Sequence, residues 1–427
     1  MIAWLVVFFL ALLLIGFDVG FGMVVAAYGG LLAQPDSFLD GTILPLNMVG
    51  GVDHYVLVSI PMFILAGELM NGGGLTLRLV DWSQAMVGNV RGSLSQVAIL
   101  TNVVMAGVSG SGAADAAATG RVLIPAMRAR GYGDGYAGAV VAAGAVLGPI
   151  IPPSVPMIVY AAMANQSVLK LFLGGVVPGL LLALGYMAIC ALQARRRGFE
   201  RAPASGLHDR LSATGKALPV LLLPVIILGG IRFGLTTDTE AASIAALYAL
   251  LIGVLYYRSL PGRRLWDSFL EAGRSSTIIL FLLAAAGPFG WLISESQVNL
   301  VIARGVLSIS SDPLVGLLVV NLLLLVVGCF LEPLPAMIIF LPALIPIGAD
   351  LGLDPIHFGV VVIVNLMIGM LTPPVGLLLF VVSAVGDVHI GRVIREIGPF
   401  LLWSLAVLVL LTAWPGLVLW LPSTVGP

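Results

Sequence analysis

Two stretches of this chain align without gaps at an offset of 221 residues, and each ends in a double proline inside an apolar run. The first reads Gly148-Pro149-Ile150-Ile151-Pro152-Pro153-Ser154, the second Gly369-Met370-Leu371-Thr372-Pro373-Pro374-Val375. Between 124–153 and 345–374, 9 of 30 positions are identical, and Gly107 matches Gly328 at the same offset. Several of the matches are glycine or proline, which set backbone geometry rather than greasiness. Paired apolar segments interrupted by Gly and Pro in the two halves of a membrane chain mark the binding site of carriers built from internal repeats.

Composition places the repeats in a bilayer. Hydrophobic residues make up 59% of the chain and charged residues only 10%, against roughly 25% charged in a soluble domain. Apolar runs long enough for about 30 Å of hydrocarbon recur along the whole length. The net charge of −1 supplies no field for nucleic acid. Cys190 and Cys329 lie in apolar runs and suggest neither a disulfide framework nor a zinc site. The four histidines lack metal-ligand spacing. The apolar N-terminus has no positive leading region, so it reads as retained membrane structure.

The segments fall as follows. Residues 2–33 would form one helix of about 46 Å at roughly 1.5 Å per residue, so two short spans turning near Asp18 are expected. Residues 34–53 read as a polar loop and 54–73 as a span. Residues 93–127 form an apolar pair broken at Ser109-Gly110-Ser111-Gly112, and 136–163 a span broken at Pro152-Pro153. Spans at 170–193, 218–232, 239–257 and 275–294 follow. Residues 314–348 are a second pair, broken near Glu332-Pro333, and 356–384 a span broken at Pro373-Pro374. The last span is 399–421.

Lysine and arginine set the orientation. The loops 194–217 and 258–274 carry Arg195, Arg196, Arg197, Arg210, Lys216, Arg258, Arg263 and Arg264, so both are cytoplasmic. Counting spans from them, the first broken pair enters from the cytoplasmic side and the second from outside. The fold class is therefore an all-α polytopic membrane protein with inverted-topology repeats. Each repeat holds a re-entrant helical hairpin and a broken transmembrane helix.

The hairpin tips and breaks are the expected chemistry. Free backbone groups at membrane depth are tolerated only inside protein or beside a watery cavity. Gly110 and Gly112 permit close backbone approach, and Ser109 and Ser111 supply hydroxyl oxygens. Pro152 and Pro153 break a helix and free carbonyls, with Ser154 and Thr372 adding hydroxyls beside the two breaks. Such oxygens suit a hard cation such as sodium, and half-helix N-termini suit a carboxylate. The alternative is that these residues only permit close helix packing. Asp115 and Glu332 are intramembrane acids, which commonly face a functional cavity. Asp115 could instead pair with Arg121. Asn365 takes the repeat place of Gly144 and either ligates an ion or bridges helices. Glu68 reads as structural or interfacial.

The run Gly107-Val108-Ser109-Gly110-Ser111-Gly112-Ala113-Ala114-Asp115 resembles the signature of the large membrane subunit of TRAP transporters, the DctM-like permeases. So do 148–154, the run Lys170-Leu171-Phe172-Leu173-Gly174-Gly175, Asp354-Pro355-Ile356-His357-Phe358-Gly359 and Thr372-Pro373-Pro374-Val375-Gly376. The resemblance covers nearly the whole chain. It implies a permease of the bacterial inner membrane working with a small four-helix membrane subunit (DctQ-like) and a periplasmic solute-binding protein (DctP-like). It also implies sodium-coupled, elevator-type uptake without ATP hydrolysis, with no cofactor beyond the coupling ions. The small subunit is expected as a separate chain. Family sodium sites map onto 109–112, 148–154, 328–333 and 369–374. The sodium candidates are thus Ser109, Gly110, Ser111, Gly112, Gly148, Pro152, Gly328, Glu332, Gly369 and Thr372. The substrate candidates are Ser111, Asp115, Ser154, Asn365 and Thr372. Glu332 departs from the family pattern, in which an aspartate is common.

The expected organisation has five parts. Residues 1–92 are N-terminal scaffold, 93–163 the first repeat core, 164–313 scaffold helices with basic loops, 314–384 the second repeat core and 385–427 a C-terminal helix. The hairpins and broken spans form a mobile body, and the remaining helices, including 170–193, 218–257 and 399–421, form the scaffold. The cargo is a small carboxylate, with C4-dicarboxylates, sugar acids and ectoine-like solutes all open. Two competing readings are a single-component ion-coupled carboxylate carrier without a binding protein, and a membrane enzyme using Asp115 and Glu332 as an acid pair. No His/Ser, His/Cys or metal signature accompanies those acids, so an enzyme is not expected.

Overall fold

The computed structural model describes residues 2–32, 42–201, 206–295 and 312–425. Among the described residues the chain is helical, with one isolated β-bridge between Arg91 and Arg201. Eight helices among the described residues are long and apolar enough to cross a membrane. The N-terminal region turns at Gly16 between α1 (Ile2–Ile15) and α2 (Val19–Leu32), as two short helices. Asp18 accepts the Gly20 amide at 3.0 Å, which starts α2. Part of the segment expected to be a polar loop is instead helical, α3 (Ile43–Val52). Gly51 serves close packing rather than a turn: a Cβ there would lie 2.6 Å from the Leu283 carbonyl oxygen. The rest of that expected loop, 34–41, lies outside the described residues.

α4 (Ser59–Gly72) leads to α5 (Leu75–Val87), a helix that hydropathy passed over because only one of its faces is apolar. The first hairpin is α6 (Ser93–Ser109) and α7 (Gly112–Ala129), followed by the broken helix α8 (Asp134–Ala145) and α9 (Val155–Ala164). α10 (Val168–Arg196), α11 (Leu207–Arg232), α12 (Asp238–Leu251) and α13 (Gly262–Glu295) come next. α11 and α13 begin well before the apolar spans read from sequence, so about half of the first basic loop and most of the second are helix. Hydropathy marks only the lipid-facing part of a helix, and these two continue past it.

The second hairpin is α14 (Pro313–Phe330) and α15 (Pro333–Asp350), followed by α16 (Pro355–Gly369) and α17 (Leu377–Gly386). α18 (Ile390–Ala413) and the short α19 (Gly416–Leu419) close the chain. The sequence offset is reproduced in the fold. α7 and α15 are both 18 residues long and start 221 positions apart, as do α8 and α16. Gly131 and Gly352 are both left-handed, at φ +77 and +67. The Pro152-Pro153 and Pro373-Pro374 peptides are both cis.

Ends expected on the same side of the membrane meet. On the cytoplasmic side Asp134, at the start of α8, binds Arg128 at 2.7 Å and Arg392 of α18 at 3.3 Å. Arg128 also donates to the Gly386 carbonyl at the end of α17, at 3.0 Å. Arg197 and Glu396 pair nearby. At the opposite end, Tyr160 of α9 donates to the carbonyl of Pro355, the first residue of α16, at 2.7 Å. α8 therefore starts on one side and its repeat partner α16 on the other, which is the inverted topology.

α10 and α18, read from sequence as scaffold, pack on the repeats. Tyr186 and Ser404 are hydrogen-bonded at 2.6 Å in a buried contact between them. Trp403 lies against Gly185, where any side chain would collide with the indole. His357 of α16 reaches the Leu411 carbonyl of α18 at 2.9 Å, and Asn321 of α14 donates to Thr412 at 2.8 Å. A second group, α2, α3, α4, α12 and α13, packs mainly on itself.

Candidate functional site

The first tip is built by two serines and two glycines. α6 stops at Gly110, whose φ of +61 places it in the left-handed region that favours glycine. Ser111 is extended and caps α7, its Oγ accepting the Ala114 amide at 3.4 Å. Ser109 Oγ donates to Asp115 Oδ1 at 2.5 Å and accepts the Ser111 amide at 3.3 Å. Asp115 is fully buried. It has no ion pair with Arg121 among the described residues; its partner is the tip itself. Its Oδ2 has no hydrogen-bond donor among the described residues and faces Gly148, where a Cβ would lie 2.6 Å away.

The first break leans on this tip. A Cβ on Gly110 would lie 3.0 Å from the Pro153 carbonyl oxygen, and one on Gly112 2.9 Å from that of Ala145. Ser154 caps α9, donating to the Pro149 carbonyl at 2.5 Å and accepting the Met157 amide at 3.3 Å. Serine hydroxyls, a carboxylate and helix-end carbonyls thus gather around 109–115 and 145–154. Such a hard-oxygen set suits an alkali or alkaline-earth cation.

The second half uses the same plan with other side chains. Glu332 stands at the cap position of α15, the repeat place of Ser111, but makes no side-chain cap bond. Gly328 and Gly369 face one another, and a Cβ on Gly369 would lie 2.6 Å from the Gly328 Cα. The Gly376 amide donates to the Cys329 carbonyl at 3.1 Å, tying the second break to the end of α14. Thr372 Oγ1 donates to Ile368 within its own helix end, at 2.9 Å. Asn365 donates to the backbone and side-chain oxygens of Asn321, at 2.9 and 2.8 Å, in a buried bridge between α16 and α14.

The two tips and both breaks converge on one cavity of about 240 Å³. Ser109, Gly110, Ser111, Gly112 and Glu332 line it, with Pro149, Met367 and Met370 from the breaks. Asp115, Gly148, Pro152, Ser154, Gly328, Asn365, Gly369 and Thr372 are not on its wall and stand behind it. The opposite wall comes from α4 and α13 through Gly67, Glu68, Asn71 and Ser275. Glu68 was read as structural or interfacial, and Asn71 and Ser275 carried no signal. Gly67 lets α4 approach the tip closely, a Cβ there lying 3.3 Å from the Ser109 Cα. Among the described residues the wall holds two carboxyl groups and no Lys, Arg or His.

The comparisons agree with this architecture. Residues 6–417 match the family described as tripartite ATP-independent periplasmic transporter, DctM component. The sialic acid TRAP transporter large permease protein SiaM of Vibrio cholerae is 37% identical over 97% of this chain and 96% of its own. The C4-dicarboxylate TRAP transporter large permease protein DctM of Pseudomonas aeruginosa is 40% identical over 93% of this chain and 92% of its own. Among solved structures, the YdaH transporter of Alcanivorax borkumensis matches with a TM-score of 0.63 over 93% of this chain and 96% of that one. At 17% identity that match speaks to the fold alone. The chain belongs to the DctM component family of the tripartite ATP-independent periplasmic transporters.

Proposed function

We propose that this permease carries a small organic acid into the cell by sodium symport, moving the two hairpins and their broken helices as one body against the rest. As a DctM component it is one part of a tripartite, ATP-independent system and a multi-pass protein of the bacterial inner membrane. The observation that carries the reading is the single cavity shared by both tips and closed by α4 and α13. The oxygen-rich shell behind the first tip supports sodium as the coupling ion. Binding there orders the 109–112 loop, and only then is the carboxylate site between the tips complete. Coupling requires that sodium bind the substrate-competent state better than the other, because only differential affinity shifts populations.

The packing supports a larger moving body than the hairpins alone. α10 and α18 are tied to the repeats by buried polar contacts and travel with them in this scheme. α2, α3, α4, α12 and α13 remain as the scaffold. A DctQ-like small subunit and a DctP-like binding protein complete the system, the latter delivering the acid on the periplasmic side.

The test is uptake into proteoliposomes under an inward sodium gradient, with and without the two partner proteins. Candidate acids should include sialic acid and a C4-dicarboxylate, the named cargoes of the two relatives. Accumulation that needs sodium and both partners is expected. Uptake by this chain alone would favour a single-component carrier, and uptake indifferent to sodium would exclude the coupling.

A further inference from the structure

Away from the transport cavity, a groove runs between α5 and the cytoplasmic end of α11. α11 has 26 residues, about 39 Å of helix at roughly 1.5 Å per residue, more than the ~30 Å of hydrocarbon. Its first turns therefore stand at head-group level. The groove holds about 290 Å³ and is lined by Arg78, Asp81 and Trp82 of α5 and by His208, Asp209 and Lys216 of α11.

Its walls are held in place by side chains. The Arg78 guanidinium lies over the Tyr257 ring, 3.5 Å from its centroid, and Tyr257 donates to the Lys216 carbonyl at 2.6 Å. Trp82 donates to Thr214 at 3.3 Å. Arg78 Nη1 is buried without a hydrogen-bond acceptor among the described residues, a costly state for a charged donor. Leu77, Leu207 and Leu211, each next in sequence to a lining residue, are exposed. A charged groove with apolar shoulders at this depth matches an amphiphile rather than a soluble metabolite.

We propose that this groove is a phospholipid site, selective for a phosphoethanolamine head group. Arg78 and Lys216 take the phosphodiester, as basic pockets between helices on the cytoplasmic side do. Asp81 and Asp209 take the ammonium, and the acyl chains cover the flanking leucines. Two cations and two carboxylates balance a zwitterionic head group, whereas an anionic phosphoglycerol offers the two acids hydroxyls but no cation. α5 joins α4 to the hairpin arm α6, so the lipid braces the link between the two bodies.

The test titrates the detergent-purified full chain separately with phosphatidylethanolamine, phosphatidylglycerol, glycerophosphoethanolamine and inorganic phosphate, read by native mass spectrometry and thermal unfolding. A retained phosphatidylethanolamine adduct with a saturable rise in Tm is expected, weakened roughly fivefold by Arg78→Gln and by Lys216→Gln. Phosphatidylglycerol should bind less well, and Asp81→Asn should narrow that difference. Lys216 and Asp81 are solvent-exposed, so their variants remain informative if Arg78→Gln does not fold. Saturation by inorganic phosphate alone would overturn the lipid assignment. So would adducts that none of the three substitutions changes, or equal binding of the two lipids.

Discussion

Ser109 donates its hydroxyl to Asp115 across the first hairpin tip, 2.5 Å from Oδ1, and this bond closes the loop that carries the backbone of the candidate cation site. Asp115→Asn keeps the size of the side chain and replaces one carboxyl oxygen with an amide nitrogen, which cannot ligate a cation. It is expected to lower sodium-driven uptake by about tenfold or more, equivalent to about 1.4 kcal/mol of lost binding. Ser111→Ala should act in the same direction. Membrane insertion should be intact in both, checked by expression and monodispersity, and normal uptake by both variants would remove the tip from the mechanism.

Sodium itself should be visible as a stabiliser. A ligand that binds only the folded state adds RT ln(1 + [L]/Kd), about 2.7 kcal/mol at roughly 100 times Kd. Thermal unfolding in sodium chloride should exceed that in choline chloride at equal ionic strength, and Asp115→Asn should erase the difference. Equal curves for the wild-type chain would point to another coupling ion, or to sodium sites completed only by the small subunit.

Gly328 and Gly369 offer a packing test in the second repeat. Gly369→Ala drives a methyl against backbone atoms that cannot rotate away, so a loss of about 1–3 kcal/mol is expected. Gly229→Ala, in α11 with nothing within 4 Å of its Cβ, should be neutral or stabilising by up to about 1 kcal/mol. Equal effects in thermal unfolding would mean that the close approach of the second tip and break does not persist in solution.

Asn365 separates structure from transport. Its amide bridges to Asn321, which in turn donates to Thr412. Asn365→Ala leaves that buried network incomplete, at a cost of about 1–3 kcal/mol. The sodium-induced stabilisation should survive. Loss of the sodium response in a folded Asn365→Ala protein would instead make Asn365 part of the ion or substrate site.

The movement of one body against the other can be blocked. A Cβ on Gly290 of α13 would lie 3.2 Å from the Cβ of Pro342 in α15, near the separation of a disulfide. The double variant Gly290→Cys with Pro342→Cys should lose uptake on oxidation and regain it with reductant, while each single variant keeps transporting. Unchanged uptake in the fully cross-linked protein would mean that α13 and α15 do not move apart in the cycle.

Much of the site was legible because glycine and proline report backbone geometry directly. Gly110, Gly131, Gly352 and the two Pro-Pro steps lie where the chain turns or breaks, and no other residue types suit those positions as well. The paired breaks at 152 and 373, the two hairpins and the turn near Asp18 therefore followed from spelling alone. α5 was passed over because only one of its faces is apolar, so no hydropathy window rises over it. α3 looked like a loop because it holds adjacent glycines, of which Gly51 serves close packing on α13, a partner more than two hundred residues away.

What the sequence determined by itself was the repeat, its inverted sense and the position of each tip, since these depend on local backbone preference and on where arginine and lysine fall. Tertiary structure decided which of those residues share a wall. Glu68 belongs to the cavity because Gly67 meets Ser109, and Asn365 stands apart from it because Asn321 reaches its amide first. α18 packs with the repeats through His357 and Asn321, and Tyr186, Ser404 and Trp403 join α10 to it. Each of these contacts joins residues distant in the chain, and no local pattern encodes which of many apolar helices a given face will bury against.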